Sequence, residues 1–209
     1  SDFPLEEAAF SEPLSCCIHG IDKADIELND NVVVIGCGAI GLLMIQLAKL
    51  KGASKVIAVD IIEDKLILAK TSGADYTLNP ASEDSYNEII EITLGGADVV
   101  IECAGNEKAA AAAFKIVKKG GKVTIFGLSA SDSFLSINLQ KFFHKEIAVN
   151  SSLLNPFTFQ KAVDLLVSKK IKVSHLNTQK MNLNESDLMK IFSDFRDQSV
   201  IKYVLFPNN

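Results

Sequence analysis

Short apolar runs alternate with amphipathic stretches between residues 30 and 152. The first apolar run, 32–36, is β-branched and predicts a strand, and the apolar residues behind it recur at helical spacing: Ile40, Leu43, Met44 and Leu47. Further strands are predicted at 55–60, 76–78, 97–103, 122–127 and 147–152. Near-continuous apolar strands separated by helices are typical of a parallel sheet covered on both faces. The pattern therefore predicts an α/β fold with a doubly wound parallel sheet.

Capping residues mark several of the predicted helices. Gly73 stops a helix over 63–71, and Ser85 opens the next one, since Ser85 and Glu88 have capping-box spacing. An alanine-rich helix over 106–118 is predicted to stop at the two glycines that follow it, Gly120 and Gly121. Each of these helices lies between two predicted strands, as a doubly wound sheet requires.

The C-terminal part of the chain breaks this alternation. Asn155 and Pro156 predict the start of one helix, and Asn184 opens another whose apolar face carries Leu188, Ile191, Phe192 and Phe195. Strands are predicted at 178–183 and 200–206, but they do not continue the order of strand and helix. We expect these strands to belong to a second domain, of which the chain holds a remnant.

Composition limits the possible partners. The chain has 209 residues, of which 48% are hydrophobic and 22% are charged, so we expect a folded globular protein. A net charge of −5 does not provide the basic surface that nucleic-acid binding requires, and Arg196 is the single arginine. A phosphate site is therefore expected to use backbone amides rather than guanidinium groups.

The expected location is the cytoplasm. The four cysteines show no C-x-x-C pair and no spacing typical of a disulfide framework, and Pro4, Glu6 and Glu7 stand where a signal peptide needs a basic flank and an apolar stretch. Residues 32–48 are uncharged, which allows a membrane span as an alternative. Three glycines interrupt that stretch, so a strand, a turn and a helix explain it better and no membrane partner is expected.

A glycine-rich loop joins the first predicted strand to the first helix, with the pattern G-x-G-x-x-G: Gly36, Cys37, Gly38, Ala39, Ile40 and Gly41. In this position the first glycine permits a tight turn, the second lets a pyrophosphate approach the backbone, and the third lets helix and strand pack closely. The amides and the dipole at the helix start favour an anion. The loop therefore predicts dinucleotide binding, with a ligand-free glycine turn as the alternative.

Asp60 ends the second predicted strand, 19 residues after Gly41. An acidic side chain there accepts hydrogen bonds from the adenosine ribose of NAD and repels the 2′-phosphate of NADP, so NAD is the expected cofactor. Lys65 is a candidate for a contact with the same ribose or adenine, or it is an ordinary solvated lysine on a helix. Cys37, inside the loop, is interpreted as a small space-filling residue.

Four residues end or follow the fourth and fifth predicted strands: Cys103, Gly105, Gly127 and Leu128. They fall at the carboxyl edge of the sheet, where doubly wound folds bind their ligands. We expect them to border the nicotinamide half of the cofactor, although a turn alone also explains Gly105.

A metal site is a further hypothesis. Glu12, Cys16 and His19 have the spacing i, i+4 and i+7, which places them on one face of a helix that begins at Pro13. Three ligands of these types suit zinc. A capping role for Glu12 and core roles for the other two explain the same residues without a metal.

Six segments follow one another along the sequence: Glu12-Pro13-Leu14-Ser15-Cys16, VVVIGCGAIGLL, KVIAVD, Gly73-Ala74-Asp75, DVVIECAG and GGKVTIFG. In this order they resemble the zinc-dependent medium-chain dehydrogenases, above all the sorbitol, threonine and related polyol branch. The resemblance implies that the family's N-terminal GroES-like catalytic domain, which supplies zinc ligands, is missing from this chain. It also implies three parts: a linking helix over 1–24, an NAD-binding Rossmann domain over 25–170, and a piece of the catalytic domain over 171–209.

The resemblance assigns roles to individual residues. Glu12 matches a carboxylate that approaches the zinc or its bound water, so zinc is expected only in the full-length enzyme. The NAD contacts carry over to Gly36, Gly38, Gly41 and Asp60, and the surroundings of the nicotinamide carry over to Cys103, Gly105, Gly127, Leu128, Ser151 and Ser152. The polyol branch commonly has a substrate-facing arginine near Leu153 and Leu154, which this sequence lacks, so alcohols and polyols both stay open as substrates.

We therefore expect the cofactor-binding portion of an NAD-dependent, zinc-type alcohol or polyol dehydrogenase, inactive as this fragment because it lacks most zinc ligands. A free-standing NAD-sensing module is one alternative. A methyltransferase-like domain is another, and it fits the strand at 55–60 less well. The sixth strand is expected to form an exposed sheet edge that pairs with a second copy, giving a homodimer or homotetramer.

Overall fold

The computed structural model describes residues 3–81, 85–176, 178–193 and 200–207. Six parallel strands form its main sheet: β1 (Asn31–Ile35), β2 (Lys55–Val59), β3 (Tyr76–Leu78), β4 (Ala97–Glu102), β5 (Val117–Ile125) and β6 (Ala148–Ser151). Their order is β3-β2-β1-β4-β5-β6. Strands β2 and β3 therefore lie on one side of β1, and β4, β5 and β6 lie on the other. This order confirms the predicted doubly wound sheet.

Helices cover both faces of this sheet. The helices of the described residues are α1 (Leu5–Ala8), α2 (Ser11–Ala24), α3 (Ala39–Leu50), α4 (Glu63–Thr71), α5 (Ser85–Ile92), α6 (Glu107–Ile116), α7 (Leu139–Lys145), α8 (Phe159–Val167) and α9 (Glu185–Ser193). Val32 and Val34 of β1 pack on one face with α2, α3 and α8, whereas Val33 and Ile35 pack on the other face with α5 and α6. Full burial of one such side chain contributes about 1.5–3 kcal/mol, so β1 is a central part of the core.

The prediction that Gly120 and Gly121 stop the alanine-rich helix is wrong. The helix ends at Ile116, not at Lys118, and Gly120 and Gly121 lie inside β5. A Cβ on Gly121 would come within 3.0 Å of the Asp98 carbonyl oxygen, and the register between β4 and β5 shifts at this point. Gly121 therefore permits a close approach of two strands at an irregularity and does not stop a helix.

Two other helices differ from the sequence pattern. The helix expected at Pro156 begins only at Phe159, because Phe157 has a left-handed φ of 59° that a helix does not accommodate. Helix α7 was not predicted. It begins after Asn138, whose side chain accepts a hydrogen bond from the Lys141 N–H group.

The remaining strands, β7 (Thr178–Asn182) and β8 (Lys202–Phe206), form a separate parallel pair on either side of α9. They do not extend the main sheet, as their break with the alternation predicted, and their membership of another domain stays a prediction. Phe195 and Arg196 lie outside the described residues. Among the described residues, no helix has both the length and the apolar character needed to cross a membrane, and the uncharged stretch 32–48 divides into β1, the glycine loop and α3.

Candidate dinucleotide-binding site

The glycine loop lies between β1 and α3, next to the middle of the sheet. Gly36 has a φ of +94°, and a Cβ there would come within 2.9 Å of the Ala104 backbone nitrogen. A Cβ on Gly41 would lie 1.8 Å from the carbonyl oxygen of Gly36. The fold itself requires these two glycines, because the backbone segments approach more closely than any side chain permits.

Gly38 differs from both, since a Cβ at this position would meet no described atom within 4 Å. Its φ of −72° and ψ of −171° suit any residue, so neither strain nor crowding explains the glycine. Gly38 is the N-terminal cap of α3, whose first N–H groups, beginning with Ala39, Ile40 and Gly41, lack partners within the helix. The open space therefore leaves room for an anionic group against these amides.

The Asp60 carboxylate is fixed beside this loop. Its Oδ2 accepts a hydrogen bond of 2.6 Å from the Cys37 N–H group, and its Oδ1 accepts one of 3.0 Å from Ile62. Each carboxylate oxygen has more than one lone pair, so both can also accept hydrogen bonds from a ligand. The sequence predicted that Asp60 would contact the ribose, but not that it also anchors the glycine loop.

Cys37 and Lys65 are neighbours of this carboxylate. Cys37 is fully buried, and burial together with the charge of Asp60 raises the pKa of its thiol well above the ordinary range, whereas the charge of Lys65 opposes that shift. The buried, protonated thiol agrees with the space-filling interpretation. Lys65 lies on α4, near enough to act on this thiol, and its contact with a ribose or adenine stays a prediction.

The turns that follow β4 and β5 touch each other. A Cβ on Gly105, whose φ is +68°, would come within 2.6 Å of the Leu128 carbonyl oxygen, and a Cβ on Gly127 would lie 2.2 Å from the Gly105 nitrogen. Cys103 donates its N–H to the Ile35 carbonyl of β1 over 2.8 Å. The four predicted residues therefore lie together beside the glycine loop, and Gly105 has a packing role beyond its turn. Their contact with a cofactor stays a prediction.

The segment after β6 reaches the same edge of the sheet. Ser151 pairs with the end of β5, and the next side chain, Ser152, has a buried Oγ without a hydrogen-bond partner among the described residues. The following turn is tied to α2, since Asn155 donates to the Ser15 Oγ (2.6 Å) and Thr158 donates to the Ser15 carbonyl (2.7 Å). The turn exposes three apolar side chains, Leu153, Leu154 and Phe157. The sequence did not indicate that α2 positions this turn.

The proposed metal ligands are only partly brought together. The Cys16 thiol donates to the Glu12 carboxylate over 3.2 Å, and burial and this contact raise the pKa of Cys16 to about 11. His19 does not join them: across the described residues, no three His, Cys, Asp or Glu side chains are grouped so that they could hold a metal ion. The three residues therefore do not form a metal site of their own. The role of Glu12 as one carboxylate near a zinc stays a prediction.

Glu102, the last residue of β4, was not among the predicted site residues. It is 1% exposed, and its Oε1 accepts hydrogen bonds of 2.7 Å from the N–H groups of both Ala104 and Gly105. Burial raises the pKa of its carboxyl group. The sequence did contain a signal, because a carboxylate directly follows the apolar run 99–101, and buried carboxylates are rare unless donors hold them.

A family model described as zinc-binding dehydrogenase matches residues 39–168, which is more than half of the chain. The chain belongs to the zinc-binding dehydrogenase family. The matched region contains α3, Asp60 and the turns after β4, β5 and β6. The resemblance that the sequence motifs indicated is thereby confirmed, and the candidate site consists mainly of residues inside the matched region.

Two curated relatives are named as dehydrogenases of polyols. The chain is 38% identical to the erythritol/L-threitol dehydrogenase of Mycolicibacterium smegmatis over 185 residues, which are 88% of this chain and 51% of the relative. It is 36% identical to the sorbitol dehydrogenase of Halalkalibacterium halodurans over 204 residues, or 96% of this chain and 58% of the relative. The chain therefore spans between half and three-fifths of the length of these relatives.

A solved structure shares the fold. A protein of Sinorhizobium meliloti 1021, assigned as a zinc-binding dehydrogenase and crystallised with NADP, superimposes with a TM-score of 0.91 at 32% identity. The match covers 98% of this chain and 61% of that one. The dehydrogenase fold predicted from the sequence is confirmed by this match.

Proposed function

We propose that this chain is the nicotinamide-dinucleotide-binding part of a zinc-dependent alcohol or polyol dehydrogenase, and that its cofactor is NAD. The observation that carries the proposal is the open space beside Gly38 at the start of α3. The fold does not require a glycine at this position, since neither crowding nor strain explains it. A diphosphate fits such a space, because the amides of the first helical turn point into it. The names of the relatives support an alcohol or polyol as the substrate.

The preference for NAD over NADP is argued from Asp60. Its carboxylate is held at the end of β2 by two backbone amides, so it cannot easily turn away from a bound ribose. A 2′-phosphate at that place would meet like-charge repulsion of up to about 4 kcal/mol near a protein surface. The NADP in the Sinorhizobium meliloti protein shows that a relative of this fold accepts the phosphate, so the preference requires a direct test.

In the proposed complex, the residues of this chain bind and orient the cofactor. The amides at the start of α3 hold the diphosphate, Asp60 accepts hydrogen bonds from the adenosine ribose, and the turns after β4 and β5 support the nicotinamide side. When bound, the nicotinamide supplies the hydride acceptor and a zinc ion supplies Lewis-acid polarisation of the alcohol oxygen. Glu12 is the residue of this chain that we assign near that zinc, with the other ligands coming from outside the described residues.

Binding and turnover should separate in the 209-residue chain. In calorimetry we expect the chain to bind NAD at least about tenfold more tightly than NADP, because of the charge of Asp60, and not to bind S-adenosylmethionine. We expect no alcohol-dependent NADH formation, since the described residues bring too few zinc ligands together. Absence of NAD binding would overturn the proposal, and turnover by the purified chain would refute its inactivity.

We also propose that the chain self-associates through β6, which lies at one edge of the main sheet. Light scattering should then give about twice the mass of 22.6 kDa, or a higher multiple. Val149→Lys in β6 should shift the mass toward the monomer, whereas Tyr76→Lys in β3, a similarly exposed position at the opposite edge, should not. A monomeric wild-type chain would count against this interface.

A further inference from the structure

Glu102 is a buried carboxylate whose two oxygens have different surroundings. Oε1 accepts the N–H groups of Ala104 and Gly105, whereas Oε2 is buried with no hydrogen-bond partner among the described residues. The main-chain carbonyl of Glu102 accepts two more N–H groups, from Phe126 (2.9 Å) and Gly127 (2.8 Å). This single residue therefore fixes the turn after β4 and the end of β5 together.

The turn at 103–105, here called the β4 turn, touches both halves of the candidate site. A Cβ on Gly36 would collide with Ala104, so the β4 turn packs directly against the glycine loop. On its other side, Gly105 lies against Leu128, and a Cβ on Gly127 would come within 2.8 Å of the Glu102 Oε2. The β4 turn thus contacts the glycine loop on one side and the end of β5 on the other, and the Glu102 side chain binds two of its N–H groups.

We infer that Glu102 is a positioning residue for the nicotinamide half of the cofactor, an inference that rests on the function proposed above. The adenosine half is held by Asp60 and by the amides at the start of α3, and neither of these bonds to Glu102. In the proposed complex, the nicotinamide half extends across β4 toward β5. There it is supported by the β4 turn, whose N–H groups at Ala104 and Gly105 are bound by the Glu102 side chain. Loss of these two side-chain hydrogen bonds should therefore weaken the binding of the nicotinamide half and leave the binding of the adenosine half nearly unchanged.

The test compares two ligands in the 209-residue chain: NADH, which carries both halves, and ADP, which carries only the adenosine and the diphosphate. In Glu102→Met, which keeps the length of the side chain but removes the oxygen that accepts both N–H groups, we expect NADH to bind about tenfold more weakly by fluorescence titration, while the dissociation constant of ADP by calorimetry stays within about twofold. The emission of bound NADH should also shift toward that of free NADH, because its nicotinamide is less well held. Glu102→Asp retains the charge but is too short to reach both amides, so it should have the same selective effect and carries the test if Glu102→Met does not fold.

The matched control is Glu107→Met. Glu107 lies five positions further along the chain and also accepts a backbone N–H, from Phe134, but it is exposed at the start of α6. We expect this variant to bind both ligands like the wild type. An equal loss of NADH and ADP in the Glu102 variants, or no loss, would overturn the positioning role while leaving the proposed function intact. A wild-type chain that binds neither ligand would overturn both.

Discussion

Gly38→Ala should give a protein that is at least as stable as the wild type but binds NAD about ten- to a hundredfold more weakly. The added methyl group would meet no described atom, and the backbone already has φ and ψ values that alanine adopts without strain. Replacing glycine by alanine at such a position even stabilises proteins by about 0.4–1 kcal/mol, since the unfolded chain loses freedom. In the complex the same methyl would occupy the place of the diphosphate, and forced overpacking costs about 1–3 kcal/mol. Thermal unfolding and calorimetry of the same preparation check both statements.

Gly41→Ala is the matched control, because it changes the same loop by the same group. Its Cβ would lie 1.8 Å from the Gly36 carbonyl oxygen, so the helix and the loop must move apart. We expect this variant to lose about 3 kcal/mol of unfolding free energy, as overpacking of a tight contact does, and to lose NAD binding with it. If Gly38→Ala binds NAD like the wild type, the diphosphate does not lie at this turn and the proposed function fails.

The parts of the fold that could be predicted depend on local patterns. The alternation of β-branched runs and helical stripes specifies each strand and helix separately, so five strands of the main sheet and the helices between β1 and β4 emerged from the sequence with small errors at their ends. The exception is β5, which was predicted to begin at residue 122 and begins at Val117. The roles of Gly36 and Gly41 were also predictable, because the turn from strand to helix imposes them locally. Asp60 followed from its distance to the glycine loop along the chain.

The parts that could not be predicted depend on contacts between distant segments. Gly121 resembles a helix stop in sequence, and only its approach to the Asp98 carbonyl on β4 shows that it belongs inside a strand. Ser15 and Asn155 are 140 residues apart, so their hydrogen bond has no local signature. The sequence indicates that Glu102 is a buried carboxylate, because it directly follows an apolar run. Which amides it binds depends on the path of the turn that follows.

The double role of Asp60 changes what its substitution should do. A ligand-binding carboxylate alone would leave folding unaffected when removed. Asp60 also accepts the N–H groups of Cys37 and Ile62, so its loss leaves two backbone donors without this acceptor. We therefore expect Asp60→Ala to lower the unfolding free energy by about 1–3 kcal/mol. The same measurement on Asp64→Ala, which removes an exposed carboxylate on α4, should show little change.

The effect of Asp60→Ala on cofactor choice should be larger and should differ between the two dinucleotides. The variant loses a charged hydrogen bond to the ribose of NAD, which contributes about 1.5–3 kcal/mol, so we expect NAD to bind about ten- to a hundredfold more weakly. NADP should lose much less, because removal of the carboxylate also removes its repulsion of the 2′-phosphate. Calorimetry with both dinucleotides on wild type, Asp60→Ala and Asp64→Ala measures the ratio of the two affinities. A general weakening of the loop would reduce both affinities in parallel, so an unchanged ratio would refute the ribose contact even if both affinities fall.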